Sequence, residues 1–375
     1  MDQLTPFYAY LVYTGFFVLA AIFSAMINGL FLKFSTTLGI RQADNIKIVR
    51  WASTAKPAVG GISLYILFLI SATVYSLFEF SGKDVFNLPL MGLIASCSLG
   101  FLVGLADDAY NTVPSLKFAG QLICAIVLVS TGIVIDLTDS FALNALFTVL
   151  WVVGIMNSIN MLDNMDGIAA VVSIAIMTGC LAVLALSDRF FTVQTFMLIG
   201  VIGGLVGFLV YNFNPARIYM GDTGSQFLGV LLAGISIMLL WNNREPGVGG
   251  FQFKQLVMPA LAFVMPVMDT ATVFLHRLRR GQSPFVGGKD HTTHHLAYIG
   301  FTDRGVFYML GGLAFVCNAL MAMAFGLFDR VTSVTTFVAL MGLVILFLVI
   351  QFFYLRAHPP VSSASPKTAP ANAKL

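Results

Sequence analysis

Long apolar runs separated by short polar segments dominate this chain. A run of about 20 apolar residues is enough to cross a bilayer as a helix. Eleven such runs occur, at roughly 6–32, 58–78, 88–106, 118–135, 141–157, 167–186, 190–211, 224–241, 256–276, 306–327 and 333–354. The fifth is short. Ten of the eleven contain no Asp, Glu, Lys or Arg, and the ninth holds only Asp269. The pattern predicts an all-α polytopic membrane protein with about eleven transmembrane helices forming one domain over 1–355. The Pro/Ala/Ser-rich segment 356–375 reads as a disordered tail. No internal repeat and no separate soluble domain is evident.

Charge follows the same division. If every run crosses, the connecting segments alternate between two sides. One set (33–57, 107–117, 158–166, 212–223, 277–305 and the tail from 355) holds 15 Lys or Arg, and the other (1–5, 79–87, 136–140, 187–189, 242–255 and 328–332) holds 5. Basic residues collect on the cytoplasmic side, which places the N-terminus outside and the C-terminus in the cytoplasm. Composition agrees: 58% of the 375 residues are hydrophobic and 10% charged, against about 25% charged in a soluble domain. The net charge of +3 adds little. Cys97, Cys124, Cys180 and Cys317 lie singly in apolar runs and read as packing residues. The first run lacks a basic flank and is long enough to span, so it reads as a helix and not a cleavable signal.

Polar residues concentrate in five loops on the basic side. In 50–65, Arg50 and Lys56 precede Pro57 and the pair Gly60-Gly61, where backbone is able to approach a ligand closely. An ordinary basic loop with helix-packing glycines is the plain alternative. In 104–122, Asp107 and Asp108 stand side by side at the hydrocarbon edge, followed by Asn111 and Lys117. Adjacent carboxylates repel one another and are costly to desolvate there, which favours a function over a merely solvated loop. In 157–170, Asn157, Asn160, Asp163 and Asp166 recur at steps of three. A short helical turn would present Asn160, Asp163 and Asp166 toward one cavity, and helix capping explains only one of the four.

The other two loops add the cation chemistry. In 211–229, Asp222 lies between Gly221 and Gly224, Thr223 and Ser225 open the eighth run, and Arg217 is near. A helix N-terminus suits phosphate, and a carboxylate beside it suits Mg²⁺, which takes one or two protein carboxylates plus substrate phosphates. An Asp N-cap with turn glycines is the structural alternative. In 265–296, Asp269 within an apolar run points to a function, beside the basic group Arg277, Arg279 and Arg280 and the cluster His291, His294 and His295. The i,i+4 spacing of His291 and His295 also suits zinc, yet no third ligand lies nearby and the arginines favour an anionic substrate. Carboxylates, cations and glycine turns on one face together match metal-assisted phosphoryl transfer.

With these loops in view, the chain resembles the polyprenyl-phosphate N-acetylhexosamine-1-phosphate transferase family over roughly 50–300. That family includes the bacterial enzymes that start O-antigen, enterobacterial common antigen and teichoic acid synthesis, and the peptidoglycan translocase. The resemblance rests on "KPAVGG", "GLADDAYN", "NSINMLDNMDG", "NFNPARIYMGDTGSQFLG" and "RRGQSPFVGGKDHTTHHL", in order and on one membrane face. The last motif looks like the WecA/TagO branch. Two departures stand out: Asn164 replaces a frequent Gly between Asp163 and Asp166, and Thr292 occupies the first position of the usual His-x-His-His, with His291 one residue earlier.

The resemblance implies transfer of N-acetylhexosamine 1-phosphate, N-acetylglucosamine 1-phosphate foremost, from a UDP-sugar to undecaprenyl phosphate, releasing UMP. This would be the first membrane step of a cell-surface polysaccharide, in the bacterial inner membrane. It implies Mg²⁺, with Mn²⁺ as the alternative, held by Asp222 and Asp107. Asp107 and Asp108 would lie near the lipid phosphate, while Lys117, Asn160, Asp163, Asp166 and Asn212 organise nucleotide and pyrophosphate. Arg279, Arg280, His291, His294 and His295 would hold the sugar-phosphate end, with Lys56, Arg217 and Asp269 also on the substrate side. The expected partners are the UDP-sugar, undecaprenyl phosphate and the bilayer, not nucleic acid; a homodimer is left open. A secondary transporter is disfavoured because charge is nearly absent from the spans.

Overall fold

The computed structural model describes residues 6–38, 56–78, 87–244, 251–282, 288, 290–327 and 333–357. Arg50, Ser283–Phe285 and the tail from 358 lie outside the described residues. The regular structure of the described part is helical apart from one bridge between Ala58 and Tyr219. Each of the eleven apolar runs forms helix. In chain order these are α1 (Pro6–Leu38), α2 (Gly60–Phe78), α3 (Leu88–Tyr110), α4 (Pro114–Ser130), α5 (Phe141–Leu162), α6 (Ile168–Leu186), α7 (Val193–Asn212), α8 (Gly221–Ser236), α9 (Lys254–Ala262) and α10 (Val264–Arg279), then the short α11 (Thr292–Tyr298), α12 (Asp303–Leu327) and α13 (Ser333–Arg356). The backbone groups of a lipid-embedded chain must be satisfied internally, and helices do this within each segment.

By length and hydropathy seven of these helices are able to cross a membrane, or eight if α9 and α10 are counted as one broken span. Gly60–Ser76, Pro114–Ser130 and Met341–Arg356 are apolar but shorter. The fourth helix starts and ends earlier than the expected 118–135, because Pro114 takes its first turn and Gly132 (φ +90°) turns the chain after it.

The ninth run corrects the expectation of a straight span. It breaks into α9 and α10 at an angle of 80°. Pro266 has no N–H for the carbonyl of Ala262 and its ring would clash with it, so the helix cannot continue. The stranded Ala262 carbonyl instead accepts a hydrogen bond from Asn318 Nδ2 of α12 at 3.2 Å.

Helix α8 is the axis of the bundle. Every residue from Thr223 to Ser236 is buried, and α8 packs against α2, α3, α5 and α6. Its end widens into a π turn over Ile237–Trp241, after which Asn242 and Asp136 tie the 131–140 and 242–255 connections together. Helix α1 lies along α7, and α12 packs on α6 and α9. The four cysteines are buried and free. At the opposite end of α8 the C-termini of α3 and α5 meet the N-termini of α4 and α8, which brings the polar loops together.

Candidate active site

The "DDAYNTVPSLK" segment folds as one unit. Asn111 closes α3 in the left-handed conformation (φ 50°), its N–H bonded to the Asp107 carbonyl at 2.8 Å. The chain then reverses, so Thr112 donates to Asp107 Oδ1 from its N–H (2.9 Å) and its hydroxyl (2.5 Å). Pro114 opens α4, and one turn along, Lys117 reaches back to the same carboxylate.

Lys117 is the centre of the cluster. Its Nζ donates to Asp107 Oδ2 at 3.0 Å, Asp222 Oδ2 at 2.8 Å and Asn160 Oδ1 at 3.3 Å. Asn160 Nδ2 in turn donates to the other oxygen of Asp222 and, at 2.9 Å, to Ser225 Oγ. The ends of four helices thus meet through one ammonium group. The side chains of Lys117, Asp107 and Asp222 remain 18%, 11% and 29% exposed, so the bridge is open to a ligand from one side.

Asp108, next to Asp107, does something different. One helical step turns its side chain toward the start of α8, where Oδ1 accepts the N–H of Asp222 (3.0 Å). Its Oδ2 accepts both the N–H (2.8 Å) and the hydroxyl (2.6 Å) of Thr223. It therefore caps α8 from a neighbouring helix, satisfying orphan amides and facing the positive end of the helix dipole. The close approach depends on Gly104 in α3. A Cβ there would lie 2.1 Å from the Asp222 carbonyl oxygen.

The "KPAVGG" segment braces the other side. The N–H groups of Gly60 and Gly61 donate to the carbonyls of Tyr219 (3.1 Å) and Met220 (3.0 Å), and Tyr219 N–H donates to Pro57 at 2.9 Å. Lys56 sits over the Tyr219 ring and Arg217 over the Tyr211 ring, 5.2 and 4.9 Å from the centroids. Arg217 is exposed and directs its guanidinium to the Val210 carbonyl at 3.4 Å, away from the Lys117 cluster.

Asp163 and Asp166 follow α5, and here the shared-cavity expectation is corrected. The helix ends at Leu162 and the chain turns through Gly167 (φ +78°), so three-residue spacing no longer keeps one face. Asp163 remains near the cluster. Desolvation first, then the carboxylates of Asp222, Asp108 and Asp166, push its carboxyl well above the usual range. Asp166 Oδ2 instead accepts from Asn214 Nδ2 (3.1 Å) and the Ala216 N–H (2.8 Å). Buried Asn212 accepts from Gly167 N–H at 3.0 Å and donates to the Ile218 carbonyl at 2.9 Å. Both hold the 212–220 loop against the α5–α6 turn.

A second cluster lies beside the first, linked by Thr293 Oγ1 donating to Asn164 Oδ1 at 2.5 Å. The Asn164 that departs from the family pattern is thus the residue that receives the histidine loop. Asp269 pairs with His291 Nδ1 at 2.9 Å and accepts the Thr292 N–H at 2.7 Å. His294 caps the same turn toward the His291 N–H at 3.4 Å. His295 turns away and stacks on Tyr354 of α13, whose other neighbour is His276, with centroids 3.7 and 4.0 Å apart. His291 and His295 therefore do not share a ligand position. Among the described residues no three His, Cys, Asp or Glu side chains form a metal-holding group. Arg279 and Arg280 are exposed at the end of α10. Arg277 is buried in a bidentate pair with Asp290 at 2.8 and 2.6 Å.

Burial and neighbouring charge hold His294 down to about 3 and His295 to about 4, from 6.5. A histidine depressed in the folded state takes up its proton more readily when unfolded. The stability these two histidines contribute is full above pH 6.5 and falls as the pH drops toward 3. Thermal unfolding in detergent between pH 7.5 and 4 is expected to show this decline, and His294→Gln should flatten it. An unchanged slope in that variant would remove His294 as its source.

Thr223, Ser225 and Arg277 stand in the polar loops of the sequence without a role in the expected site. Thr112, Asp290, Gln121 and Gln226 enter only with the structure. Gln121 and Gln226 carried a signal, being amides within otherwise apolar runs and four residues after Lys117 and Asp222.

Residues 90–240 match the profile of glycosyl transferase family 4. The chain is 32% identical over 267 residues to a protein of Bacillus subtilis described as a probable undecaprenyl-phosphate N-acetylglucosaminyl 1-phosphate transferase, covering 68% of this chain and 70% of that one. It is 29% identical over 283 residues to the decaprenyl-phosphate N-acetylglucosaminephosphotransferase of Mycobacterium leprae, covering 68% and 70%. With the phospho-N-acetylmuramoyl-pentapeptide-transferase of Bacillus cytotoxicus it shares 26% identity over 328 residues, 80% of this chain and 94% of that one.

Proposed function

This chain belongs to glycosyl transferase family 4, and from that membership we propose that it transfers an N-acetylhexosamine 1-phosphate from a UDP-sugar to undecaprenyl phosphate. N-acetylglucosamine is the favoured sugar, in keeping with the names of the Bacillus and Mycobacterium relatives. The observation that carries the reading is the Lys117 bridge between Asp107 and Asp222, open on one side at the ends of four helices.

In the proposed reaction a phosphate oxygen of the lipid attacks the sugar-linked phosphorus. The new P–O bond forms as the bond to UMP breaks, and UMP leaves with the electron pair. A phosphate monoester has a second pKa near 6, so the attacking group is largely dianionic at pH 7 and needs little help from a base. Lys117 supplies positive charge where the two phosphates meet, and Asp107, Asp222 and Asn160 fix its direction. Asp108 has both oxygens committed to α8, which supports direct displacement over a phospho-enzyme. Asp166 and Asn212 act through the loops they hold, and Asp269 acts through His291 and Thr292.

The donor set fits Mg²⁺. Asp107 and Asp222 face each other across Lys117 and present hard carboxylate oxygens there, a pair and not a cluster of three among the described residues. Asp222 and Asp107 would hold the ion, needing only one or two protein carboxylates alongside substrate phosphates. When bound it supplies charge neutralisation at the pyrophosphate. The excess of basic residues on the loops at this end supports a cytoplasmic site with the N-terminus outside. It also supports a place in the inner membrane at the first membrane step of a surface polysaccharide.

Purified protein with undecaprenyl phosphate, Mg²⁺ and a panel of UDP-sugars is expected to release UMP, fastest with UDP-N-acetylglucosamine, and to stop on chelation. No release with any UDP-N-acetylhexosamine would overturn the proposal.

A further inference from the structure

One helical turn below the Lys117 cluster lies a second polar layer that the reaction as described does not use. Gln121 follows Lys117 by four residues on α4, Gln226 follows Asp222 by four on α8, and Asn157 precedes Asn160 by three on α5. Helix α5 runs toward the site while α4 and α8 run away from it, so all three amides fall at the same depth, about 5 Å beneath the charged layer. They bond to one another. Gln121 Nε2 donates to Gln226 Oε1 at 3.0 Å and to Asn157 Oδ1 at 3.2 Å, and Asn157 Nδ2 donates to Gln121 Oε1 at 2.8 Å and to the Val153 carbonyl, also at 2.8 Å. Gln121 is 1% exposed and Gln226 is fully buried.

The layer is not built for stability. Gln226 Nε2 is buried without a hydrogen-bond partner, and an unmade buried donor costs its full desolvation penalty. An apolar side chain of the same length would avoid that cost. Of the two N–H groups of Gln121 Nε2, the one on Asn157 would keep its bond and the one on Gln226 would lose it, offsetting part of that gain. What the amides do provide is register: they tie α4, α5 and α8 together directly under Lys117, Asn160 and Asp222, one amide beneath each.

We propose that Gln121, Asn157 and Gln226 are positioning residues for the transfer, fixing the three helices so that Lys117 stays between Asp107 and Asp222. This rests on the transferase reading of the upper layer. They touch no substrate and act only through the residues above them. Removing them therefore weakens an arrangement used at the transition state without altering substrate binding, and lowers kcat while leaving KM in place.

The test is Gln226→Met, close in length and apolar, assayed beside wild type for UMP release and thermal unfolding in detergent. The expected result is a kcat about tenfold lower, KM for the UDP-sugar within twofold, and a Tm unchanged or raised. Wild-type kcat would overturn the proposal. So would a fall in Tm with loss of activity, or failure to fold, since either shows the amide serving the fold alone. Gln226→Leu, shorter and branched, separates loss of the amide from the shape of methionine: an equal loss of kcat supports the proposal, and recovery of wild-type rate overturns it. A wild-type protein that releases no UMP would instead bring down the transferase reading itself.

Discussion

Asp222→Ala is expected to abolish UMP release, lowering turnover by roughly a thousandfold, and to remove its dependence on Mg²⁺. Asp222 is where three parts of the site converge. One oxygen takes Lys117 at 2.8 Å, the other takes the Asn160 amide, and the backbone N–H is held by Asp108 at 3.0 Å. Alanine keeps the backbone contact and removes both side-chain ones, leaving Lys117 with Asp107 as its one carboxylate and Asn160 held by Ser225 and Lys117 only. Asp222→Asn distinguishes charge from shape, because the amide retains an acceptor for one of the two partners but not the negative charge. A role in placing cations at the pyrophosphate predicts that the asparagine variant is nearly as inactive as alanine. A purely structural role predicts recovery close to wild type. More than a tenth of the wild-type rate in Asp222→Ala would count against any metal role for this residue.

The helices were legible because a bilayer leaves few alternatives. With no water to satisfy the backbone, an apolar run of sufficient length has to be helix, and each of the eleven expected runs is helical. The cluster was legible for a related reason. Charges are so scarce in this chain that Asp107, Lys117 and Asp222 stood out, and the structure joins them through one ammonium. What escaped was carried by residues without charge or by exceptions to periodicity. The break at Pro266 was written in the sequence, but hydropathy averages over it. The turn after Leu162 ended the helical phase that would have aligned Asp166 with Asp163. Gln121 and Gln226 lie in runs so apolar that a neutral amide changes little in the pattern, although burying one is costly enough to deserve a reason. The partnership of His295 with Tyr354 joins positions far apart in sequence, and no local pattern announces it.

The adjacent carboxylates give the second large effect, because the structure assigns them different partners. Asp108 accepts three hydrogen bonds from the first turn of α8, while Asp107 faces Lys117 and Thr112. Asp108→Ala would leave the N–H groups of Asp222 and Thr223 and the Thr223 hydroxyl without their acceptor. A lost helix cap costs about 0.5–2 kcal/mol, and here it also frees the residue that presents the Asp222 carboxylate. A fall in kcat of roughly a hundredfold is expected. Asparagine is as good a cap as aspartate, so Asp108→Asn should recover about tenfold over alanine. Asp107→Asn should recover little, since its charge opposite Lys117 is what matters. The contrast between the two asparagine variants is the test, read as UMP release at saturating substrates. If Asp108 were a nucleophile, asparagine would be as dead as alanine, and UDP-sugar alone would release UMP and leave the N-acetylhexosamine 1-phosphoryl group on the carboxylate, an adduct that mass spectrometry finds at residue 108. Either result would end the capping role and direct displacement with it.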